Sequence, residues 1–188
     1  PLASAAGIFT TNRAVAAPVV ISQNQLSLSN GKAKAIVVNS KCANACTGDD
    51  GIRAAKVMVK EAATSLNCEL QHVLIASTGV IGMRLDTQKV SSGIRNAAKH
   101  LQSEKHLQAA EAIMTTDVSP KEYAVSVETS EGVFTIGGMA KGAGMIEPNM
   151  ATMLGFLTTD AAVEPAVLNQ MLREVATRTF NAVTIDGA

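Results

Sequence analysis

Residues 122–140, EYAVSVETSEGVFTIGGMA, place Tyr123, Val125 and Val127 between polar neighbours, turn at Ser130-Glu131-Gly132 and resume with Val133, Thr135 and Gly137. Period-two alternation broken by a short polar turn predicts an antiparallel hairpin, and a hairpin rules out a strictly parallel sheet. The first half of the chain has a different pattern. AKAIVVNS (33–40) and HVLIAS (72–77) are short runs of strand character. Between them IRAAKVMVKEAATSL puts Ile52, Ala55, Val59 and Ala62 on one helical face. Asp49 and Asp50 precede that helix, where carboxylates suit the positive end of the helix dipole. AVAAPVVIS (14–22) reads as a further strand, with Pro18 marking an edge or a bend. Asp86 is placed to cap a helix running to about Leu101, and a second helical stretch covers about 104–114. TMLGFLTTD (152–160) reads as a strand, and VEPAVLNQMLREVATRTF (163–180) as a helix with Pro165 in its first turn. Helices and strands in this order predict an α/β fold of the mixed α+β kind rather than a doubly wound parallel sheet.

Composition narrows the function. A chain of 188 residues with 47% hydrophobic and 17% charged residues can bury a core as one domain or a domain and a fraction. Sixteen Lys and Arg balance sixteen Asp and Glu, so no net field favours nucleic acid or an anionic membrane. With four Phe, one Tyr and no Trp, stacking on bases or sugars is not expected. Cys42, Cys46 and Cys68 are odd in number and lack the paired spacing of a disulfide framework or a zinc site, so no metal is expected. No apolar run is long enough to span a bilayer and no signal pattern opens the chain. These features predict a reducing cytoplasm. Both ends read as cut, as if the chain were part of a larger or processed protein.

Several chemistries can be weighed and set aside. Gly138 to Lys141 lacks the spacing of a phosphate loop. His72, His100 and His106 stand beside no glycine turn that would present them to a substrate. KGAGMIEPNMATMLGFLTTDA (141–161) is more suggestive. Gly142, Gly144 and Pro148 are poor strand formers, yet they lead into Thr152 and an apolar run. A threonine hydroxyl needs a base to act as a nucleophile. A cut immediately before Thr152 would supply one, because the new α-amine has a reference pKa of about 7.7–8.0 and is tethered to the hydroxyl. Small Ala151 permits the approach, and glycine and proline can force an unusual backbone path. On residue types alone, the commoner reading of Thr152 is an ordinary strand threonine after a long loop.

At these motifs the chain resembles the ornithine acetyltransferase family, the glutamate N-acetyltransferases of the cyclic arginine pathway. GGMAKGAGMIEPNMATMLGFLTTDA (137–161) is similar to that family's processing segment. VVNSKCANACTG (37–48), STGVIG (77–82) and AIMTTD (112–117) follow in the family's order and spacing, and FTTNRAVAAPV (9–19) fits as well. The resemblance implies Ntn-hydrolase-like layering of sheets and helices with the family's own topology. It implies self-cleavage between Ala151 and Thr152, residues 1–151 being an α-chain portion and 152–188 the start of a β-chain portion of one larger unit. Thr152 would be the nucleophile, Thr78 and Gly79 the oxyanion hole, and Thr115, Lys141 and Thr152 the substrate contacts.

The implied reaction moves an acetyl group from N-acetylornithine to glutamate through an acetyl-threonine, without cofactor or metal, in a cytoplasmic α2β2 assembly. Acetyl-CoA is a further potential donor. An amidohydrolase or aminopeptidase using the same nucleophile, or a non-catalytic scaffold, are the alternatives. The chain departs from the family pattern at Lys41 and Cys42, where NSGNANACTG commonly has Gly-Asn.

Overall fold

The computed structural model describes residues 1–149 and 152–187. A short strand β1 (Ala3–Ser4) is followed by helix α1 (Ala17–Leu28), and β2 (Lys32–Ala33) pairs antiparallel with β1. Strand β3 (Ala35–Asn39), helix α2 (Gly48–Leu66) and strand β4 (Val73–Ser77) form a β–α–β unit, β3 and β4 running parallel with Ala35 opposite Val73 and Asn39 opposite Ser77. Helices α3 (Thr87–Lys99) and α4 (His106–Ala112) come next. A three-stranded antiparallel sheet then forms from β5 (Lys121–Thr129), β6 (Gly132–Lys141) and β7 (Leu154–Thr159), and α5 (Pro165–Arg178) follows. Helices, one parallel pair and one antiparallel sheet make the fold mixed α/β.

Helix α2 is the centre of the principal core. Asp49 and Asp50 lie in its first turn, and Asn67, left-handed at φ 48°, ends it by donating its N–H to the carbonyls of Ala63 and Thr64. Its buried side includes Ala54, Ala55, Met58, Val59, Ala62 and Ala63. Alanines let the helix approach its neighbours closely, and Met58 fills the remaining space. Val73 and Ile75 from β4, Ala17 from α1 and Ile94 from α3 complete this cluster. Helix α3 begins as its sequence predicts, Asp86 Oδ1 accepting from the Lys89 N–H at 3.0 Å.

Residues 14–22 correct the sequence reading. They do not form a strand: from Ala17 onward the segment is helix α1, with Pro18 in its first turn. Proline costs a helix no hydrogen bond there and its fixed φ suits the turn. The inward face consists of Ala17, Pro18, Ser22 and Gln25, so two polar residues occupy positions where an apolar period would have revealed a helix. Ser22 Oγ donates to Ile75 O at 2.7 Å and accepts from Ile75 N at 2.8 Å, while Gln25 Nε2 donates to Leu70 O at 2.7 Å. These bonds tie α1 to β4 and to the turn before it.

The hairpin is as expected, with Ser130 and Glu131 at its tip and Thr129 opposite Gly132. The strand read over 152–160 is shorter in the structure. It starts at Leu154, and Thr152 lies before it in a turn at φ 54°, which no extended strand accommodates.

Candidate active site around Lys141 and Thr152

The β6–β7 ladder pairs Lys141 with Leu154, so residues 142–153 form an excursion whose two ends meet at adjacent strand positions. Gly142 and Thr152 are thereby brought together. A Cβ on Gly142 would lie 3.5 Å from the Thr152 carbonyl oxygen and 3.0 Å from Ile146 Cδ1, and Gly142 has φ +153°. Met145, Asn149 and Thr152 all have positive φ, at 54°, 70° and 54°. Positive φ is uncommon for a non-glycine residue and a genuine outlier for a β-branched one. Ala151 lies outside the described residues, so the expected cleavage junction is seen only from its Thr152 side.

The C-terminal segment anchors this excursion. Ile146 and Ile185 exchange both backbone hydrogen bonds at 2.9 and 2.8 Å. Asn149 N donates to Asn181 Oδ1 at 2.9 Å, and Thr184 Oγ1 donates to Glu147 Oε2 at 2.9 Å. Ile146 is buried. The left-handed residues therefore sit in a path fixed from several points.

Lys141, at the end of β6, is only 3% exposed. Its ammonium donates no hydrogen bond to any described residue. Burial lowers its pKa, the nearby Asp117 carboxylate opposes that shift, and Lys121 adds to it. A desolvated cation of this kind gains most from an anionic partner that replaces its lost water.

Asp117 is the centre of the polar contacts here, and the sequence reading gave it no role although AIMTTD ends on it. Its side chain is fully buried. Oδ1 accepts from Lys121 Nζ at 2.6 Å and from Gly142 N at 2.7 Å, and Oδ2 accepts from Thr115 N at 3.2 Å. Burial alone would raise this carboxyl's pKa. The hydrogen bond from Lys121, then those from Gly142 and Thr115, outweigh burial and hold it at about 2. Asp117 thus links Thr115, the residue after Lys141, and the contact with Thr152.

Thr78 and Gly79 belong to the other sheet, just past the end of β4. Thr78 N donates to Asn39 O at 3.0 Å and Val80 N to Lys41 O at 3.1 Å, while Ala43 N donates back to Val80 O at 3.0 Å. Asn39 organises the corner: its Nδ2 donates to Cys42 O at 2.9 Å and its Oδ1 accepts from Ser77 Oγ at 2.5 Å. The Thr78 backbone N–H is therefore occupied, whereas among the described residues its hydroxyl and the Gly79 N–H have no partner. Gly79 has φ +131°, and any Cβ there would overlap the Lys41 backbone. Lys41 itself is left-handed at φ 75°. No backbone hydrogen bond among the described residues joins this corner to the Lys141–Thr152 site. The structure thus groups Thr115, Lys141 and Thr152 through Asp117 and Gly142, and places Thr78 and Gly79 on a separate element.

Among the described residues no group of three or more His, Cys, Asp or Glu could hold a metal ion, and no helix is long and apolar enough to cross a membrane.

The ArgJ family model matches residues 1–188, and the chain belongs to the ArgJ family. The arginine biosynthesis bifunctional protein ArgJ of Symbiobacterium thermophilum is 52% identical over 184 residues, covering 98% of this chain and 45% of the relative. The chain therefore spans less than half the length of that curated relative. Among solved structures, the arginine biosynthesis bifunctional protein ArgJ of Bacillus halodurans superposes with a TM-score of 0.74 at 37% identity, over 80% of this chain and 78% of that one. Ornithine acetyltransferase of Mycobacterium tuberculosis, complexed with ornithine, gives 0.71 at 35% identity, over 81% and 78%.

Proposed function

We propose that this chain carries the cleavage site and part of the active site of a self-cleaving N-acetyltransferase of arginine biosynthesis. The carrying observation is Thr152, a β-branched residue held at φ 54° against Gly142. A non-glycine residue in that region stores on the order of 1–3 kcal/mol, which persists only because the surroundings over-determine it. Breaking the bond before Thr152 releases that strain. In the scheme, Thr152 Oγ bonds to the Ala151 carbonyl carbon as the C–N bond breaks, and the hydroxyl proton passes to the freed nitrogen. Water then hydrolyses the ester, leaving the Ala151 carboxylate and a free amino-terminal threonine.

The same hydroxyl next attacks the acetyl carbonyl of N-acetylornithine, with its own α-amine as proton acceptor. The Thr78 hydroxyl and the Gly79 N–H are the donors offered to the oxyanion, and loss of one preorganised donor of this kind costs about 3–4 kcal/mol. Ornithine departs with the proton and an acetyl ester remains on Thr152. The amine of glutamate attacks that ester and leaves as N-acetylglutamate, with acetyl-CoA an alternative donor in the first half. Lys141 pairs with a substrate carboxylate, and Thr115 contacts the same substrate. One amide is exchanged for another, so the scheme needs neither ATP nor a metal. Ornithine bound to the Mycobacterium relative supports the identity of the leaving amine.

Two further features support a paired-chain assembly, read here as α2β2 in the cytoplasm. The Bacillus chain and this one align over near-equal shares, so they are of similar length, whereas the Symbiobacterium relative is more than twice as long. On α5, Val167, Met171 and Val175 form an i, i+4, i+8 stripe about half exposed, an apolar face suited to the rest of the β portion.

The test compares the whole precursor with Thr152→Ala on a denaturing gel. Wild type gives two bands and Thr152→Ala one intact, inactive band; a single wild-type band in active protein sinks the reading. Incubation with N-acetylornithine alone should then leave one acetyl on the threonine-led chain by mass spectrometry.

A further inference from the structure

Asp117 has more to do than neutralise Lys121. The pair is the part of its environment nearest solvent, the Lys121 side chain being 48% exposed. The other two donors to the carboxylate are backbone amides, Thr115 N at 3.2 Å and Gly142 N at 2.7 Å, from segments 25 residues or more apart from one another in the chain. One of these amides belongs to an expected substrate contact. The other immediately follows Lys141, a second expected contact, and opens the excursion that ends at Thr152. Gly142 is also the residue against which the Thr152 carbonyl rests.

A carboxylate is the side chain suited to this place. All three partners are donors, and an ionised carboxylate offers acceptor sites only. An Asn of the same shape would turn its NH2 toward one or two donors and lose those bonds.

We propose that Asp117 is a positioning residue: its carboxylate clamps the Thr115 turn to the Gly142 end of the 142–153 excursion. The clamp holds Thr152 in its cleavage conformation before processing and keeps Thr115 and Lys141 at a fixed spacing afterwards. The inference rests on the self-cleaving acetyltransferase reading.

The test follows self-cleavage of the whole precursor in wild type, Asp117→Asn and Lys121→Met, with the thermal midpoint of each. Asp117→Asn should slow cleavage at least tenfold and, once processed, raise KM for N-acetylornithine more than it lowers kcat. Lys121→Met, which removes the ion pair but leaves both backbone bonds, should cleave within twofold of wild type. Equal rates in Asp117→Asn and wild type overturn the clamp while leaving the parent reading intact. Equal slowing in both variants also overturns it, assigning the effect to the ion pair. A wild-type precursor that never cleaves overturns the parent reading instead. Should Asp117→Asn not fold, amide exchange of wild type decides. The Gly142 N–H should exchange at least tenfold more slowly than an unprotected amide, and fast exchange there removes the clamp without any variant.

Discussion

Residues 1–100 and residues 101–187 are built on different principles. Every member of the principal buried cluster lies in the first stretch, from Ala17 to Ile94. The second has few buried side chains, among them Ala110, Ile113, Lys141, Ile146 and Ala176. Its three-stranded sheet is held mainly by ladder hydrogen bonds and leaves Tyr123 at 79% and Val133 at 66% exposure. No backbone hydrogen bond among the described residues joins the two stretches. The first therefore resembles a self-sufficient core, stabilised by apolar burial at about 25 cal/mol per Å². The second buries a cation, Lys141, and a carboxylate, Asp117, beside its few apolar positions and holds an exposed threonine, Thr152, at a strained φ; each of these costs stability on its own. Stability and the proposed chemistry are separated along the chain, and in the proposed scheme the Thr78–Gly79 corner is the stable half's contribution.

That corner offers the strongest way to break the comparison. Gly79→Ala forces a methyl into the Lys41 backbone at a φ of +131°. The expected loss is on the order of 3 kcal/mol. For a chain of this size that corresponds to a fall in melting temperature of roughly 6–12 °C. Thermal unfolding followed by circular dichroism reads it. A melting point unchanged by Gly79→Ala would show that the β4 corner is not rigidly packed against the 41–46 loop.

A somewhat smaller effect tests where the first stretch stores its stability. Ser22 is buried and its hydroxyl serves both the N–H and the carbonyl of Ile75. Ser22→Ala leaves both backbone groups unpartnered, at about 2 kcal/mol. Urea unfolding should show a lower midpoint with an unchanged slope. If α1 were only loosely apposed to β4, water would replace the hydroxyl and the midpoint would hardly move.

The legibility of the chain divides along similar lines. The two strands and the helix of the β–α–β unit, the α3 cap at Asp86, the hairpin turn and the start of α5 at Pro165 are all legible in sequence, because each depends on local periodicity or local capping chemistry; the parallel pairing of β3 with β4 is not. Helix α1 is hidden in the sequence because Ser22 and Gln25 face inward, and the short apolar run around Pro18 carries no period that separates a strand from a buried helix. Thr152 reads as strand because MLGFLTTD continues the apolar pattern up to it, and a left-handed φ leaves no mark on residue types. Asp117 was overlooked for a different reason. Two of its three partners are backbone amides, one of them 25 residues away in the chain, and a backbone amide has no letter in a sequence. Lys141 was singled out only through resemblance; its near-complete burial follows from the β6–β7 register and the Asp117 cluster, which are tertiary facts.

The smallest expected effect sharpens the contrast most. Lys141 is buried with a lowered pKa, and removal of a desolvated cation often stabilises a protein. Lys141→Met keeps the length of the apolar stem and should raise stability by on the order of 1 kcal/mol, while abolishing productive binding of a carboxylate substrate. The pH dependence distinguishes this from a packing gain. A lysine whose folded pKa lies below its unfolded value binds fewer protons when folded, so stability rises with pH in the interval below the ordinary lysine value of 10.5. Lys141→Met should lose that rise. Asp117 gives the opposite limb: its folded pKa of about 2 lies below the ordinary 3.8, so its contribution is complete above 3.8 and is lost as pH falls toward 2. Because Lys141→Met leaves the three donors to Asp117 in place, the acid limb should survive in that variant. A variant that flattened both limbs would show that the Asp117 carboxylate depends on Lys141 for its charge, and that the second stretch is held by one coupled ion cluster rather than by an independent clamp beside a cation awaiting its substrate.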